Sequence, residues 1–240
     1  MDQVTTPTTI PASSQWQVVA HGFEIAQDLL ESDELKRLTM SLPVQGDGAV
    51  KSREGVYAVR NLLEIVPTIQ VLANSEKVRC LAERVLGSDA VPVRGLLFDK
   101  TAEANWLVPW HQDLTICVKS RIEVPGYGPW SVKAGVPHVQ PPIGVLQKMI
   151  AIRIHLDRCD ESNGALCVLP GTHLLGRLSA EDIANLRKSI YPVSCDVDRG
   201  GALLMKPLLL HASSVSEHPS HRRVIHIEYA SCTLEGGLEW

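Results

Sequence analysis

The sequence predicts a mainly β (α+β) domain with a helical N-terminal part, and three observations point there. Its 240 residues are 45% apolar and 21% charged with mean hydropathy of +0.03, which fits one globular domain with a sizeable core. Up to about Gly87, leucines recur at helical intervals; beyond it, short apolar or alternating runs are cut by Gly, Pro, Asn and Asp, as in a β-sandwich or barrel. Disorder, collagen and coiled coil are excluded by the same composition.

Taken in order, residues 1–15 are rich in Thr, Ser and Pro and read as a flexible arm. Residues 16–240 read as a single domain, with 16–90 helical and 91–231 forming the β core. Leu29, Leu30, Leu35, Leu38 and Leu42 predict a helix that Ser32 or Asp33 caps and that ends before Pro43. A second helix is expected over Asn74–Leu86, capped by Ser75 and stopped by Gly87. Strands are expected near 92–99, 112–118, 148–157, 165–169, 191–195, 201–206, 208–212 and 222–231. Ser179 with Asp182 resembles a capping box that opens a helix over 180–188. The stretch 119–147 is too broken by Gly and Pro for regular elements, yet its Tyr127, Trp130 and His138 favour an ordered lid insertion over a linker.

Charge narrows the partners. A net charge of -4 and a pI of about 6.1 leave no broad positive field for a phosphate backbone, so nucleic acid is not expected. No apolar stretch is long enough for a bilayer, and no secretory signal precedes the domain, so a cytoplasmic location without membrane association is expected. The six cysteines form no C-x-x-C pair and read as free thiols. Oligomeric state leaves no sequence signal. Aromatic usage is lopsided, with five Trp against two Phe, and there are nine His.

The sharpest local feature is His111-Gln112-Asp113, because a His and an Asp two apart on a strand project to one side and can grip one cation. A third ligand would complete a 2-His-1-carboxylate facial triad with open positions on Fe(II). His155-Leu156-Asp157 is a second H-x-D, so the motif alone does not decide. Strand order does. In a double-stranded β-helix, or jelly roll, four strands separate the motif from the distal His, and four expected strands lie between Asp113 and His211 but three between Asp157 and His211. His211 also closes a buried apolar run, which favours it over His173, His218, His221 and His226. Eleven residues beyond it, Arg222 opens an alternating strand and offers a guanidinium for a carboxylate.

His111-Gln-Asp113, Asn163-Gly164 followed by Leu166, Leu169-Pro-Gly-Thr-His173, and His211-Ala-Ser213 with Arg222 together resemble the phytanoyl-CoA dioxygenase family, over roughly residues 92–231. The family more often has Ser at the position of Thr172. The resemblance implies a cupin-like double-stranded β-helix and an Fe(II)- and 2-oxoglutarate-dependent oxygenase that uses O2 and releases succinate and CO2. It implies His111, Asp113 and His211 as iron ligands, Arg222 as partner of the 2-oxoglutarate distal carboxylate, and Ser213 as a further donor to it. Related halogenases carry a small residue in place of the Asp; with Asp113 present, hydroxylation of a small-molecule substrate is expected. Desaturation, cyclisation and epimerisation are the other outcomes open to the same centre. A non-oxygenase cupin-type metal enzyme or binding protein is the rival class.

Lys100 and Asn105 lie just upstream of the motif, as candidates to hydrogen-bond 2-oxoglutarate or substrate, or as solvated surface. Arg153, His155 and Asp157 share one face of their strand: either that face lines the substrate cavity, with Arg153 binding an anionic group and His155 a further candidate contact, or it holds a buried ion pair or a solvated outer face. Trp106, Trp110 and Trp130 are candidate walls of a substrate pocket, and His138 a lid residue that reaches substrate, each against the alternative of ordinary packing or surface. Gln112 points away from the metal, and His226 is expected to point off its strand. The basic residues show no cluster for a phosphate-bearing substrate.

Overall fold

The computed structural model describes residues 17–43, 50–53, 56–102 and 104–240. The expected arm, 1–15, lies outside them. The elements run α1 (Gln17–His21), β1 (Phe23–Ala26), α2 (Ser32–Ser41), β2 (Val50–Arg53), β3 (Val56–Val59), α3 (Leu62–Ile65), α4 (Pro67–Ala73) and α5 (Glu76–Leu86). The core follows with β4 (Val91–Lys100), β5 (Val108–His111), β6 (Ile116–Cys117), β7 (Trp130–Lys133), β8 (Val136–Val139), α6 (Ile143–Gln147) and β9 (Met149–His155). It closes with β10 (Leu166–Val168), α7 (Ala180–Ser189), β11 (Val193–Cys195), β12 (Ala202–Met205), β13 (His211–Ser213) and β14 (Arg222–Ala230).

Among the described residues the strands pair antiparallel, in a major sheet β1-β12-β9-β14-β4-β3-β2 and a minor sheet β11-β10-β13-β5. The two face each other as the double-stranded β-helix the sequence predicts. Period-2 alternation builds both faces of the major sheet. Ile150, Ile152 and Ile154 of β9 and Ile225, Ile227 and Tyr229 of β14 face outward, under Leu35, Leu62, Ile69, Val78 and Ala82 of the helices. Each fully buried isoleucine there contributes roughly 1.5–3 kcal/mol. The intervening residues face inward: Ala151 packs with Leu166 and Val168 of the minor sheet, while Arg153, Arg222, His226 and Glu228 line a cavity.

Several boundaries differ from expectation. The N-terminal part is not only helical: β1 pairs with β12, and β3 pairs with β4 and with β2. Four-residue strands such as Phe23-Glu-Ile-Ala are too short for alternation to register in the sequence. Helix α2 is preceded by Glu31, whose N–H donates to Glu34 Oε2 at 3.1 Å, so Ser32 and Asp33 fall inside its first turn. The strand expected over 112–118 is broken, because Asp113 N–H leaves the ladder to donate to Pro207 O at 2.9 Å. The run 208–212 is mostly a buried turn, closed by Leu209 N–H to Lys206 O at 3.0 Å, and pairing starts only at His211. A buried apolar run looks alike as strand or turn in composition.

The insertion 119–147 is regular where irregularity was expected. β7 and β8 form a hairpin whose turn residues, Ala134 and Gly135, take φ of +50° and +79°, and β8 pairs with β6. Positive φ at both turn positions matches the twist of the flanking strands. Elsewhere the structure follows the sequence: Ser75 and Gly87 bound α5, and Ser179 and Asp182 cap α7 reciprocally. All six cysteines are free, and no helix of the described residues is long and apolar enough to cross a membrane.

Candidate active site

Pairing of β5 with β13 sets His211 directly opposite His111, with ring centroids 4.2 Å apart. Each ring is anchored at Nδ1, His111 by Pro109 O at 2.8 Å and His211 by Leu209 O at 2.8 Å. A backbone acceptor at Nδ1 puts the proton there and leaves the Nε2 lone pair free. Asp113, just past the end of β5, brings its oxygens to 3.9 Å from His111 Nε2 and 3.8 Å from His211 Nε2. Those spacings are too long for direct hydrogen bonds and suit a shared cation. The three ligand atoms lie within 4.8 Å of one another.

The electrostatics agree. Burial drives the His211 imidazole down to about 4, so it is neutral at ordinary pH. Burial alone would raise the Asp113 carboxyl, but His211, His226, His111 and Arg94 outweigh it and hold it below the usual range. An imidazole ligand must be neutral and a carboxylate ionised, so this donor set fits Fe(II). Gln112 faces away, as expected, and fixes the motif. Its Nε2 donates to Gly176 O at 2.8 Å and Leu208 O at 2.6 Å, and its Oε1 accepts from Leu178 N–H at 2.9 Å.

The rival motif is not a centre. Asp157 is taken by Arg223 through two bonds, of 2.8 Å from Nε and 2.7 Å from Nη2. His155 is buried with neither ring nitrogen bonded to a described residue, and it does not line the cavity.

His111, Asp113 and His211 share a cavity of about 230 Å³ with Arg222 and Ser213. Arg222 is the register partner of Lys100 across β14 and β4. Its Nη1 donates to the Gly164 carbonyl, and its buried Nε has no partner among the described residues. Lys100 is only 1% exposed and does not itself line the cavity; it donates to Ser213 Oγ, which does, at 2.8 Å, and to the Ser214 carbonyl. Burial, followed by the charge of Arg222, pushes the Lys100 amine down to about 7. Two cations directly opposed across strands repel, which adds to burial in lowering the amine.

Of the other predicted residues, Arg153 and Trp106 line the cavity, and Arg153 Nη1 donates to His226 Nδ1 at 2.9 Å. The remaining candidates are elsewhere. Asn105 spends both amide atoms on the Ser216 backbone, at 2.8 and 2.7 Å. Trp130 packs in the cluster around Ile116 and Val139, with the Arg121 guanidinium over its ring. His138, on β8, is buried and does not line the cavity, and burial pushes it down to about 4. Trp110 lies under Arg187, outside the cavity.

The sequence reading missed much of the opposite wall. His226 points into the cavity and not off its strand, for the same alternation that turns Arg222 inward. Glu228, two residues on, faces its register partner Arg94 in an ion pair of 2.9 Å and lies 3.4 Å from His226 Nε2. Alternation along β14 and β4 was the available signal for these. Arg60 and Lys133 also line this part, with no local signal.

The family model for phytanoyl-CoA dioxygenase matches residues 20–224. The chain belongs to the phytanoyl-CoA dioxygenase family. It is an Fe(II)- and 2-oxoglutarate-dependent oxygenase, with iron and 2-oxoglutarate as cofactors and O2 as oxidant. Solved structures agree on the fold. AviO1 from Streptomyces viridochromogenes Tue57 superposes with a TM-score of 0.64 at 24% identity, over 92% of this chain and 96% of that one. EctD from S. alaskensis with bound Fe gives 0.70 at 18%, over 94% and 79%. The epimerase SnoN, in complex with Fe3+, alpha ketoglutarate and nogalamycin RO, gives 0.70 at 16%, over 91% and 82%. No curated protein matches the sequence.

Proposed function

We propose that residues 16–240 act as a single oxygenase domain that hydroxylates an unactivated C–H bond of a small-molecule substrate. In this reading His111, Asp113 and His211 hold Fe(II), and Arg222, with Ser213 and Lys100, holds the distal carboxylate of 2-oxoglutarate. The observation that carries it is one cavity holding both the three-donor group and a buried guanidinium with an unpartnered Nε. Bound Fe(II), with 2-oxoglutarate and O2, supplies the oxidising chemistry and releases succinate and CO2.

The chain's own residues do the rest. Arg222 and Lys100 orient the co-substrate by charge, and the backbone-anchored imidazoles keep their Nε2 atoms converged. Leu96, Phe98 and Trp106 give the cavity apolar walls that limit water near the reacting carbon. Asp113 as third ligand favours hydroxylation over halide transfer, since it occupies the position a halide would need. The free thiols support a reducing, cytoplasmic setting.

Metal content and succinate formation test the assignment. His111→Ala and Asp113→Ala are expected to lose iron, His155→Ala to retain it, and Arg222→Ala to weaken 2-oxoglutarate binding. Iron lost only in the His155 variant, or co-substrate affinity unchanged in Arg222→Ala, would overturn it.

A further inference from the structure

We infer that Arg60, Arg94 and Lys133 form an anion-binding subsite of the cavity, so that the substrate carries a carboxylate or a tetrahedral oxyanion such as a phosphate or sulfate group. The inference rests on the assignment of Arg222 to 2-oxoglutarate.

The charges lining the cavity are unbalanced. Five cations, Arg60, Arg94, Lys133, Arg153 and Arg222, face two carboxylates, Asp113 and Glu228. Asp113 belongs to the metal-binding group, Glu228 pairs with Arg94, and Arg153 is engaged with His226. Arg222 is matched by the co-substrate. Arg60 and Lys133 remain, and neither side chain makes a hydrogen bond or ion pair with a described residue.

Position separates this cluster from the co-substrate end. Arg94 lies six residues before Lys100 on β4, which at about 3.3 Å per residue puts roughly 20 Å between them. A single molecule of 2-oxoglutarate held at Arg222 does not neutralise both ends. The three cations come from different parts of the chain: Arg60 follows β3, Arg94 is on β4, and Lys133 ends β7 in the insertion.

Burial, then the charge of Arg94, lowers the Arg60 guanidinium; burial, then Arg94 and Arg60, lowers the Lys133 amine. With Arg94 offset by Glu228, Arg60 and Lys133 are the like charges left uncompensated beside it in a partly buried cleft; they raise the free energy of the empty site, and a bound anion relieves it. Guanidinium forks suit planar carboxylates and tetrahedral oxyanions alike, so the recognised feature is the anionic group.

Anaerobic protein with Fe(II) and saturating 2-oxoglutarate is titrated by equilibrium dialysis with radiolabelled sulfate, phosphate or acetate. The wild type, Lys133→Gln and the double variant Arg60→Gln/Lys133→Gln are compared, with formation of the Fe(II)·2-oxoglutarate charge-transfer band followed in parallel. At least one anion is expected to bind the wild type, and to bind about tenfold more weakly for each charge removed, the loss expected of a hydrogen bond to a charged group. Preference for acetate identifies a carboxylate, and preference for phosphate or sulfate a tetrahedral oxyanion. Lys133→Gln, on a hairpin, keeps the test open if the double variant does not fold. Equal affinity in wild type and variants, or no anion binding, with the band intact, overturns the subsite and leaves the metal assignment standing. Absence of the band in the wild type instead overturns the metal and co-substrate assignment.

Discussion

Replacing Gln112 by Leu should damage the metal centre without touching a ligand. The side chain is 7% exposed and makes three hydrogen bonds to backbone atoms of two separate segments, Gly176–Leu178 and Leu208. Leucine matches its size and supplies none of them, leaving two carbonyls and one N–H to be satisfied otherwise. At a net value of about 1 kcal/mol per bond, the loss is roughly 3 kcal/mol. For a chain of this size that lowers Tm by about 6–12 °C. Leu208 precedes Leu209, whose carbonyl anchors His211, and Gln112 itself joins His111 to Asp113, so the ligands lose alignment as well as support. Weakening of iron affinity by about 10- to 100-fold is expected, the usual cost of removing an outer partner of a metal site. Thermal melts of the metal-free protein and competition of iron against a chelator read the two effects separately. Tm within a degree of wild type, or a lowered Tm with iron affinity intact, would refute the reasoning.

Three further predictions concern the co-substrate end. Because the Lys100 amine sits at about 7 and the anion needs it charged, 2-oxoglutarate affinity should fall as pH rises through 7, and Lys100→Arg should flatten that profile; a pH-independent Kd in the wild type contradicts it. With the folded pKa below the ordinary lysine value, the ligand-free protein should also gain stability as pH climbs from about 7 towards that value, since the unfolded chain then holds the extra proton. In Gly164→Ala the new Cβ falls 2.6 Å from Ser214 O at a φ of +79°, so the alanine adds about 1–2 kcal/mol of left-handed strain and displaces the carbonyl that Lys100 bonds. Urea denaturation and 2-oxoglutarate titration should both register it, and wild-type values in both would show that the turn tolerates a side chain.

What the sequence revealed, and what it hid, follows from the range of the interactions. The strand count between Asp113 and His211 survives in β9, β10, β11 and β12 once the insertion is set aside, because alternation and turn residues are local signals. The break after His111 is not local: it depends on Asp113 N–H finding Pro207 O, nearly a hundred residues away. Asn105 shows the same limit from the other side. An Asn near a cavity mouth suggests a ligand contact, yet its amide is satisfied by the Ser216 backbone, a partner available only after β14 folds back beside β4.

The cavity's two ends differ in how they are encoded. On β14, one alternation places Arg222, His226 and Glu228 on a single face, so the residue expected to hold the co-substrate and those that bind Arg153 and Arg94 ride on one rigid strand. Arg60 and Lys133 are carried instead by a connection and a hairpin, segments that vary in length and sequence at small cost to the core. The residues proposed to hold iron and co-substrate are thereby built into the sheets, while the two charges inferred to meet the substrate stand on their periphery. Exchanging the β7–β8 hairpin should change which anion binds without moving Arg222, because no pairing links β7 or β8 to the strands that carry the proposed iron ligands.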